Sequence, residues 1–304
     1  MRFSIWPTAA QSWNNVVEIA THCERTGWDG VYFADHFMPN SQGSEPLDGD
    51  MLECWSALAA LAGLVPRVQL GSLVSSVTYR HPAGLAKTAT TVDQVSGGRL
   101  TLGVGAGWQL NEHAAYGLDL GTVRERLDRF DEAVQILRSL LEQPRTTFAG
   151  EYFRLQDAPN QPAPVDGRLP LLIGGGGEQR TMRIAARHAD HWNAWTTPDV
   201  LAHKVSVLRA HCAEAGRDPA EIHVSTQAGL FLSTDARWLA DRRDQPAGRF
   251  PAIIGTPTEV AEIVAAYEAA GADELIIPDF TLGSGARKKD TCDLFIEEVA
   301  AAFR

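Results

Sequence analysis

Short apolar runs alternate with amphipathic stretches along the whole chain. Short runs bounded by turn residues are typical of buried strands, whereas apolar residues at i, i+3 and i+4 are typical of helices. The runs predict eight strands, at residues 3–6, 30–34, 68–74, 99–104, 170–173, 191–195, 221–230 and 273–278. The amphipathic stretches predict eight helices, at residues 12–27, 51–64, 178–187 and 290–303 and beginning at 82, 122, 198 and 257.

Capping residues place several of these helix ends. Ser12 is a predicted N-cap, and Gly27 follows the same helix as a C-terminal glycine. Thr122 and Glu125 form the Thr-x-x-Glu pattern of a capping box. Residues 144–168 hold four prolines and two glycines, and we interpret them as an excursion containing a short hairpin.

Strictly alternating strands and helices predict a parallel sheet with right-handed crossovers. Eight such units in 304 residues fit one (β/α)₈ TIM barrel, with residues 1–304 forming a single domain. An open, doubly wound sheet is the alternative. The longer breaks at residues 36–50, 106–121 and 231–252 all follow strands. In a barrel these insertions lie on the C-terminal face, where active sites are found.

The composition narrows the class of protein. A net charge of −11 argues against nucleic-acid binding, which needs a basic face. The sequence has no apolar run of the length needed to span a bilayer, so we expect no membrane partner. Four widely separated cysteines are interpreted as reduced thiols of a cytoplasmic protein. The same spacing, with scattered histidines, predicts no metal site.

Asp35 and His36 end the predicted second strand and are the candidate catalytic pair. Histidine is the side chain most easily poised for proton transfer near neutral pH. The alternative is that Asp35 caps the following loop and His36 packs in the interior. The pattern leaves both interpretations open.

Two further strand ends offer small residues to a flat ligand. After the third strand, Ser75 and Ser76 present hydroxyls, either to a heteroaromatic ring or phosphate or as ordinary turn residues. After the fourth, Gly105 and Ala106 allow a ligand close to the backbone. Glu112 and His113, beyond them, either transfer protons or hold the insertion in place, and His113 is also a candidate for the substrate pocket.

A buried strand runs into four consecutive glycines and a predicted helix start. Unpaired backbone N–H groups at a helix N-terminus attract anions, and a guanidinium matches phosphate geometry. We therefore expect a phosphate at this loop; its residues are Gly174, Gly175, Gly176, Gly177 and Arg180. Among the tryptophans, Trp6, Trp108 and Trp195 lie at strand ends and are the candidates for a substrate pocket.

Five segments in this order resemble the bacterial luciferase-like monooxygenase family, over essentially the whole chain. They are residues 28–37 (WDGVYFADHF), 79–82 (YRHP), 93–108 (DQVSGGRLTLGVGAGW), 173–177 (IGGGG) and 189–193 (ADHWN). The chain is most similar to the branch that depends on coenzyme F420, a deazaflavin.

The resemblance implies a cofactor ring against the third strand, which carries a bulge and a non-proline cis peptide near Leu73 and Val74. It implies that Asp35 and His36 lie beside the reactive part of that ring, with Asp35 orienting His36. Related sugar-phosphate dehydrogenases have a glutamate where this chain has Trp108. That departure argues for a different, more apolar substrate.

The resemblance leaves more than one activity open. An F420-dependent oxidoreductase acting on a small organic molecule is favoured, because the chain is compact whereas the FMN-dependent monooxygenases of the family have larger insertions. The first alternative is such a monooxygenase, which takes reduced FMN from a partner flavin reductase. The second is a flavin-binding protein without turnover. The family also implies a homodimer.

Overall fold

The computed structural model describes residues 1–245, 248 and 250–304. Its strands close into a barrel, with two short two-stranded sheets outside it. The barrel strands are β1 (Arg2–Trp6), β2 (Gly30–Phe33), β3 (Gln69–Ser72), β4 (Ser75–Ser76), β5 (Leu100–Gly105), β8 (Leu171–Gly174), β9 (His191–Trp195), β10 (His223–Gln227) and β13 (Glu274–Pro278). The outer strands are β6 (Thr146–Ala149), β7 (Arg154–Ala158), β11 (Gly229–Leu232) and β12 (Ala252–Gly255).

All barrel pairings are parallel, in the order β3-β2-β1-β13-β10-β9-β8-β5-β4. A further pairing of β3 with β5 closes the sheet. β4 continues the barrel strand that β3 begins, and it also pairs with β5. The predicted (β/α)₈ barrel is therefore confirmed. An open doubly wound sheet is excluded, because such a sheet would leave two unpaired edges.

Helices follow the strands, and most of them cover the outside of the barrel. They are α1 (Trp13–Thr26), α2 (Cys54–Leu64), α3 (Pro82–Ser96), α4 (Leu110–Ala115), α5 (Val123–Glu142), α6 (Thr181–His188), α7 (Pro198–Ala215), α8 (Ala236–Arg243), α9 (Pro257–Ala269) and α10 (Ala286–Glu298). Ser12 caps α1, Gly27 ends it in the left-handed conformation, and Thr122 with Glu125 forms the capping box of α5. Within the described residues, no helix is long and apolar enough to span a membrane.

Several predicted boundaries were wrong, and the reasons are local. The helix predicted at 178–187 begins at Thr181, because the preceding turn continues from the glycines to Arg180. The strand predicted at 221–230 divides into β10 and β11, and β11 leaves the barrel to pair with β12. The break at 231–252 contains the end of β11, α8 and the start of β12; its residues 246, 247 and 249 lie outside the described part. The predicted hairpin within 144–168 is confirmed as the antiparallel pair β6–β7.

Candidate active site

A cavity of about 590 Å³ opens at the C-terminal ends of the barrel strands. Its wall is built by the segments that follow β2, β4, β5, β8 and β9, together with the first turns of α5 and a lysine of α7. Parallel strands deliver these segments to one end of the barrel, so residues distant in sequence meet there. Leu73, Val74, Ser76, Gly105 and Ala106 of the predicted set line this cavity.

His36 borders the cavity and is held by Glu112 of α4. Its Nδ1 lies 2.8 Å from Glu112 Oε1, and the other carboxylate oxygen accepts the Phe37 backbone N–H at 2.9 Å. The Tyr79 hydroxyl donates to Oε1 as well. Three contacts on one buried carboxylate fix the ring, and they leave Nε2 on the opposite side of the imidazole. His36 is therefore oriented for proton transfer at Nε2.

Glu112 stays ionised in this setting. Burial alone raises the pKa of Glu112, but the hydrogen bonds from His36, Tyr79 and the Phe37 amide outweigh burial and leave the pKa below its ordinary value. Burial and the adjacent Glu112 carboxylate raise the pKa of Tyr79 far above its ordinary range, so Tyr79 remains a hydrogen-bond donor. An ionised acceptor favours the tautomer of His36 that carries its proton on Nδ1.

Asp35 does not orient His36, and that expectation was wrong. The buried Asp35 carboxylate pairs with Arg80, whose guanidinium also reaches Glu53 Oε1 at 2.5 Å. Burial raises the pKa of Asp35, and the charge of Arg80 offsets part of that rise. Asp35 still borders the cavity, but its contacts anchor the loop after β2 to the turn before α3.

The third barrel strand, formed by β3 and β4, has the predicted irregularity. The Leu73–Val74 peptide is cis, as the family resemblance implied, and β3 and β4 are separated at this point. The prediction for Ser75 was wrong: it is fully buried, and its hydroxyl accepts a hydrogen bond from Trp55 Nε1 at 3.0 Å instead of facing the cavity. Side chains alternate in direction along an extended segment, which is why Ser76 lines the cavity and Ser75 does not.

The glycine loop after β8 forms the other end of the cavity. Gly174, Gly175 and Gly176 line it, together with Thr181. A methyl group added at Gly176 would meet no atom closer than 3.8 Å, so the missing side chain leaves open space beside the loop. Lys204 lies alongside, with Nζ 2.8 Å from the Gly176 carbonyl oxygen.

Two predicted phosphate contacts do not face this space. Gly177 lies beyond the cavity wall, where the chain has already turned outward. Arg180 points toward α5 and pairs with Asp128 at 2.5 Å. Within the part of the chain that the structure describes, the cations that line the cavity are instead Arg126 of α5 and Lys204 of α7. Sequence reasoning missed both, because each sits on a helix that the chain reaches far from the glycines.

Aromatic side chains form the outer wall. Trp195 stacks on Phe250 with ring centroids 4.5 Å apart, and Trp6 lies 5.7 Å from Trp195. Trp108 packs edge-on against His36 at 5.6 Å. All four line the cavity, as predicted for the three tryptophans.

His113 was predicted for the same pocket, and that prediction was wrong. The side chain is buried between Thr78 and the Gln109 carbonyl oxygen. It thus holds the insertion after β5 in place. Glu112, next to it, is the residue that reaches the candidate catalytic histidine.

Comparison with known sequences identifies relatives over most of the chain. The family model described as luciferase-like monooxygenase matches residues 1–245. An uncharacterized protein of Mycobacterium tuberculosis is 30% identical over 244 residues, 76% of this chain and 83% of that protein. The F420-dependent hydroxymycolic acid dehydrogenase of the same organism is 31% identical over 224 residues, 72% of this chain and 58% of that enzyme. An F420-dependent glucose-6-phosphate dehydrogenase of Amycolatopsis mediterranei is 35% identical over 161 residues, 50% of this chain and 46% of that enzyme. The chain thus matches about half the length of the two named dehydrogenases.

Solved structures share the fold at lower sequence identity. The F420-dependent tetrahydromethanopterin reductase from Methanopyrus kandleri superposes with a TM-score of 0.83 at 17% identity, covering 100% of this chain and 99% of that one. An F420-dependent secondary alcohol dehydrogenase bound to an F420–acetone adduct gives 0.81 at 21%, covering 99% of each chain. A long-chain alkane monooxygenase gives 0.82 at 16%, covering 100% and 91%. These likenesses concern the fold alone.

Proposed function

The chain belongs to the luciferase-like monooxygenase family, and from this premise we propose that it is an F420-dependent oxidoreductase acting on a small organic substrate. The observation that carries the proposal is His36, which borders the barrel cavity with Nδ1 fixed by Glu112. Such a histidine is suited to give or take the proton that accompanies hydride transfer.

The lining of the cavity fits a flat ring with an anionic tail. Small residues at Gly105 and Ala106 allow a planar ring to approach the backbone. The open space at Gly176 lies beside Lys204, which is paired with Glu178 at 2.5 Å, and Arg126 lines the same cavity; together they offer backbone and two cations to a phosphate. We therefore place the ring and the phosphate at separate ends of the cavity.

The sequence relatives favour the deazaflavin over FMN. Two of them, at 31% and 35% identity, carry F420-dependent in their names. The shared fold does not choose between cofactors, since both F420-dependent enzymes and monooxygenases superpose on this chain. The preference for F420 accordingly rests on the sequence relatives.

When bound, the deazaflavin supplies the hydride-transfer chemistry, and the protein supplies binding, orientation and proton handling. In the reducing direction, His36 in its imidazolium form would donate the Nε2 proton to the substrate oxygen and return to the tautomer that keeps its proton on Nδ1. In the oxidising direction, it accepts the hydroxyl proton. Glu112 keeps the other ring nitrogen occupied, and Tyr79 and the Phe37 amide keep Glu112 in position. Glu112 acts through His36 and is a positioning residue.

The substrate end of the cavity favours an apolar alcohol or carbonyl compound. Trp6, Trp108, Trp195 and Phe250 form its wall, and aromatic faces bind apolar groups well. Among the described residues, the cations that line the cavity are Arg126 and Lys204, on helices beside the glycine loop, where we place the cofactor phosphate. A second phosphate on the substrate would thus meet an aromatic wall.

A paired fluorescence-quenching titration with oxidised F420 and with FMN tests this function. Tight binding of F420 with weak binding of FMN is the expected result. Preferential binding of FMN would replace the proposal with the monooxygenase alternative, and oxygen consumption with an added flavin reductase would then be measured. Binding of neither would refute a cofactor site at this cavity.

A further inference from the structure

A second cluster of titratable side chains lies at the opposite, N-terminal end of the barrel. His191, His223 and Glu274 each begin a neighbouring strand, namely β9, β10 and β13. One potential ligand atom from each lies within 4.8 Å of the other two. No step of the proposed function uses this cluster.

The distances between the potential ligand atoms suit a metal ion. Glu274 Oε2 lies 3.1 Å from His223 Nε2 and 3.9 Å from His191 Nε2. Bonds of about 2.0–2.1 Å to a tetrahedral Zn²⁺ place its ligand atoms roughly 3.3 Å apart. The two measured separations bracket that value, so modest side-chain movement would bring the donors into place.

Other side chains already fix the carboxylate and one imidazole. Glu274 Oε1 accepts from the Ser4 hydroxyl, and Oε2 accepts from Tyr32 at 3.2 Å. Ser225 Oγ lies 2.6 Å from His191 Nε2 and 2.7 Å from the amide nitrogen of Asn193. The hydrogen bonds on Glu274 orient that ligand. The Ser225 hydroxyl occupies His191 Nε2, so it must give up this contact, and keep the one with Asn193, when His191 binds a metal.

The charge of Glu274 and the position of His223 at the surface both favour a bound metal ion. Glu274 is fully buried, and within the described residues its ion-pair partners closer than 4 Å are the two histidines. A buried carboxylate is costly unless a cation compensates it. His223 is partly exposed and lines a surface depression of about 410 Å³ with Arg2, Glu268 and Asp273. His223 therefore connects the buried Glu274 carboxylate, 3.1 Å from its Nε2, to this depression.

We propose that His191, His223 and Glu274 bind a divalent transition-metal ion, with Zn²⁺ the best match to two imidazoles and one carboxylate. A water molecule from the depression completes a four-coordinate shell. The site ties three adjacent strands together at the end of the barrel remote from the active site. Its role is to stabilise the barrel, because residues at this end contribute to stability rather than to catalysis.

Calorimetric titration of chelator-treated, full-length protein with Zn²⁺, alongside Co²⁺ followed by visible absorption, tests the proposal. We expect one ion per chain, an intense four-coordinate Co²⁺ spectrum, and a higher melting temperature with metal. His223→Gln should weaken binding by at least ~100-fold, more than loss of an outer-shell partner does. His22→Gln is the matched control, because His22 pairs with Asp293 at 2.7 Å on the outer helical layer.

The metal proposal stands apart from the proposed function, since the titration needs neither F420 nor a substrate. No saturable binding below about 1 mM would overturn it. Equal loss of binding in the His22 and His223 variants, or a weak six-coordinate Co²⁺ spectrum, would likewise assign the metal to surface histidines. If His223→Gln fails to fold, the spectrum and stoichiometry of the unaltered protein decide alone.

Discussion

Replacing Glu112 with glutamine isolates the positioning of His36. Glutamine keeps the shape of the side chain but removes its charge and replaces one acceptor oxygen with an N–H donor. The native carboxylate receives three contacts, from His36 Nδ1 at 2.8 Å, the Phe37 amide at 2.9 Å and the Tyr79 hydroxyl. If the glutamine oxygen still accepts the Phe37 N–H, the NH₂ group of the side chain faces Nδ1 of His36. Nδ1 must then accept a hydrogen bond, so the imidazole proton moves to Nε2.

The expected loss follows from this tautomer change. Nε2 can no longer accept a proton from an alcohol, so the oxidising direction loses its general base. Positioned general acid–base catalysis contributes roughly 100- to 10,000-fold, and we expect kcat for Glu112→Gln to fall roughly 100- to 1,000-fold. F420 affinity should change less than about threefold, since Glu112 lies behind His36 and does not line the cavity.

The assay is steady-state alcohol oxidation followed by loss of F420 fluorescence, with the cofactor Kd measured separately. Glu132→Gln is the matched control: its carboxylate also receives three contacts, but all come from backbone N–H groups of the β6–β7 hairpin, at 2.7–3.1 Å. The control should lose stability without a specific loss of kcat. A kcat for Glu112→Gln within threefold of the unaltered enzyme, with cofactor bound, would refute the positioning role.

Four other expectations follow from the same contacts. His36→Ala should lower kcat but leave F420 bound, and unchanged turnover with bound cofactor would remove His36 from the mechanism. Arg80→Met should lower the free energy of unfolding by about 3–5 kcal/mol, because it leaves the buried Asp35 carboxylate without its cation; urea unfolding checks this, and a change under 1 kcal/mol would contradict it. Gly176→Ala should weaken F420 binding about tenfold with unfolding within about 1 kcal/mol of native, since the added methyl meets no atom closer than 3.8 Å; unchanged affinity would place the phosphate elsewhere. Because the pKa of Glu112 is lowered, its ionised form stabilises the fold at pH values above the ordinary glutamate pKa, and this contribution disappears as the pH falls through the lowered value. The difference in unfolding free energy between the native protein and Glu112→Gln should therefore shrink on acidification. A difference that does not depend on pH would contradict this expectation.

Sequence periodicity predicted the barrel because the signals for strands and helices are local. Ser12, Gly27 and the Thr122–Glu125 pair cap helices in the structure as their spacing indicated. The errors arose where tertiary pairing decides. The strand predicted at 221–230 divides because β11 pairs with β12 outside the barrel, a partner some twenty residues away that no local pattern reveals.

The site was predicted in outline but not in its contacts. The ends of the predicted strands identified the cavity, but the direction of each side chain depends on the strand register. The sequence could therefore not distinguish Ser75 from Ser76, and only Ser76 faces the cavity. Asp35 was expected to orient His36 because the family resemblance pairs the two residues. In the structure Arg80 takes the Asp35 carboxylate, and the insertion after β5 brings Glu112 to His36 across 76 positions.

Anaerobic and aerobic reoxidation of F420 that has been reduced beforehand and bound to the protein gives the most direct test of the central claim. The account predicts that an apolar ketone or aldehyde reoxidises the cofactor at the same rate with and without oxygen, yields the alcohol, and does so far more slowly in His36→Ala. Reoxidation that requires oxygen and yields an oxygenated product, or that is indifferent to every carbonyl compound, would contradict it.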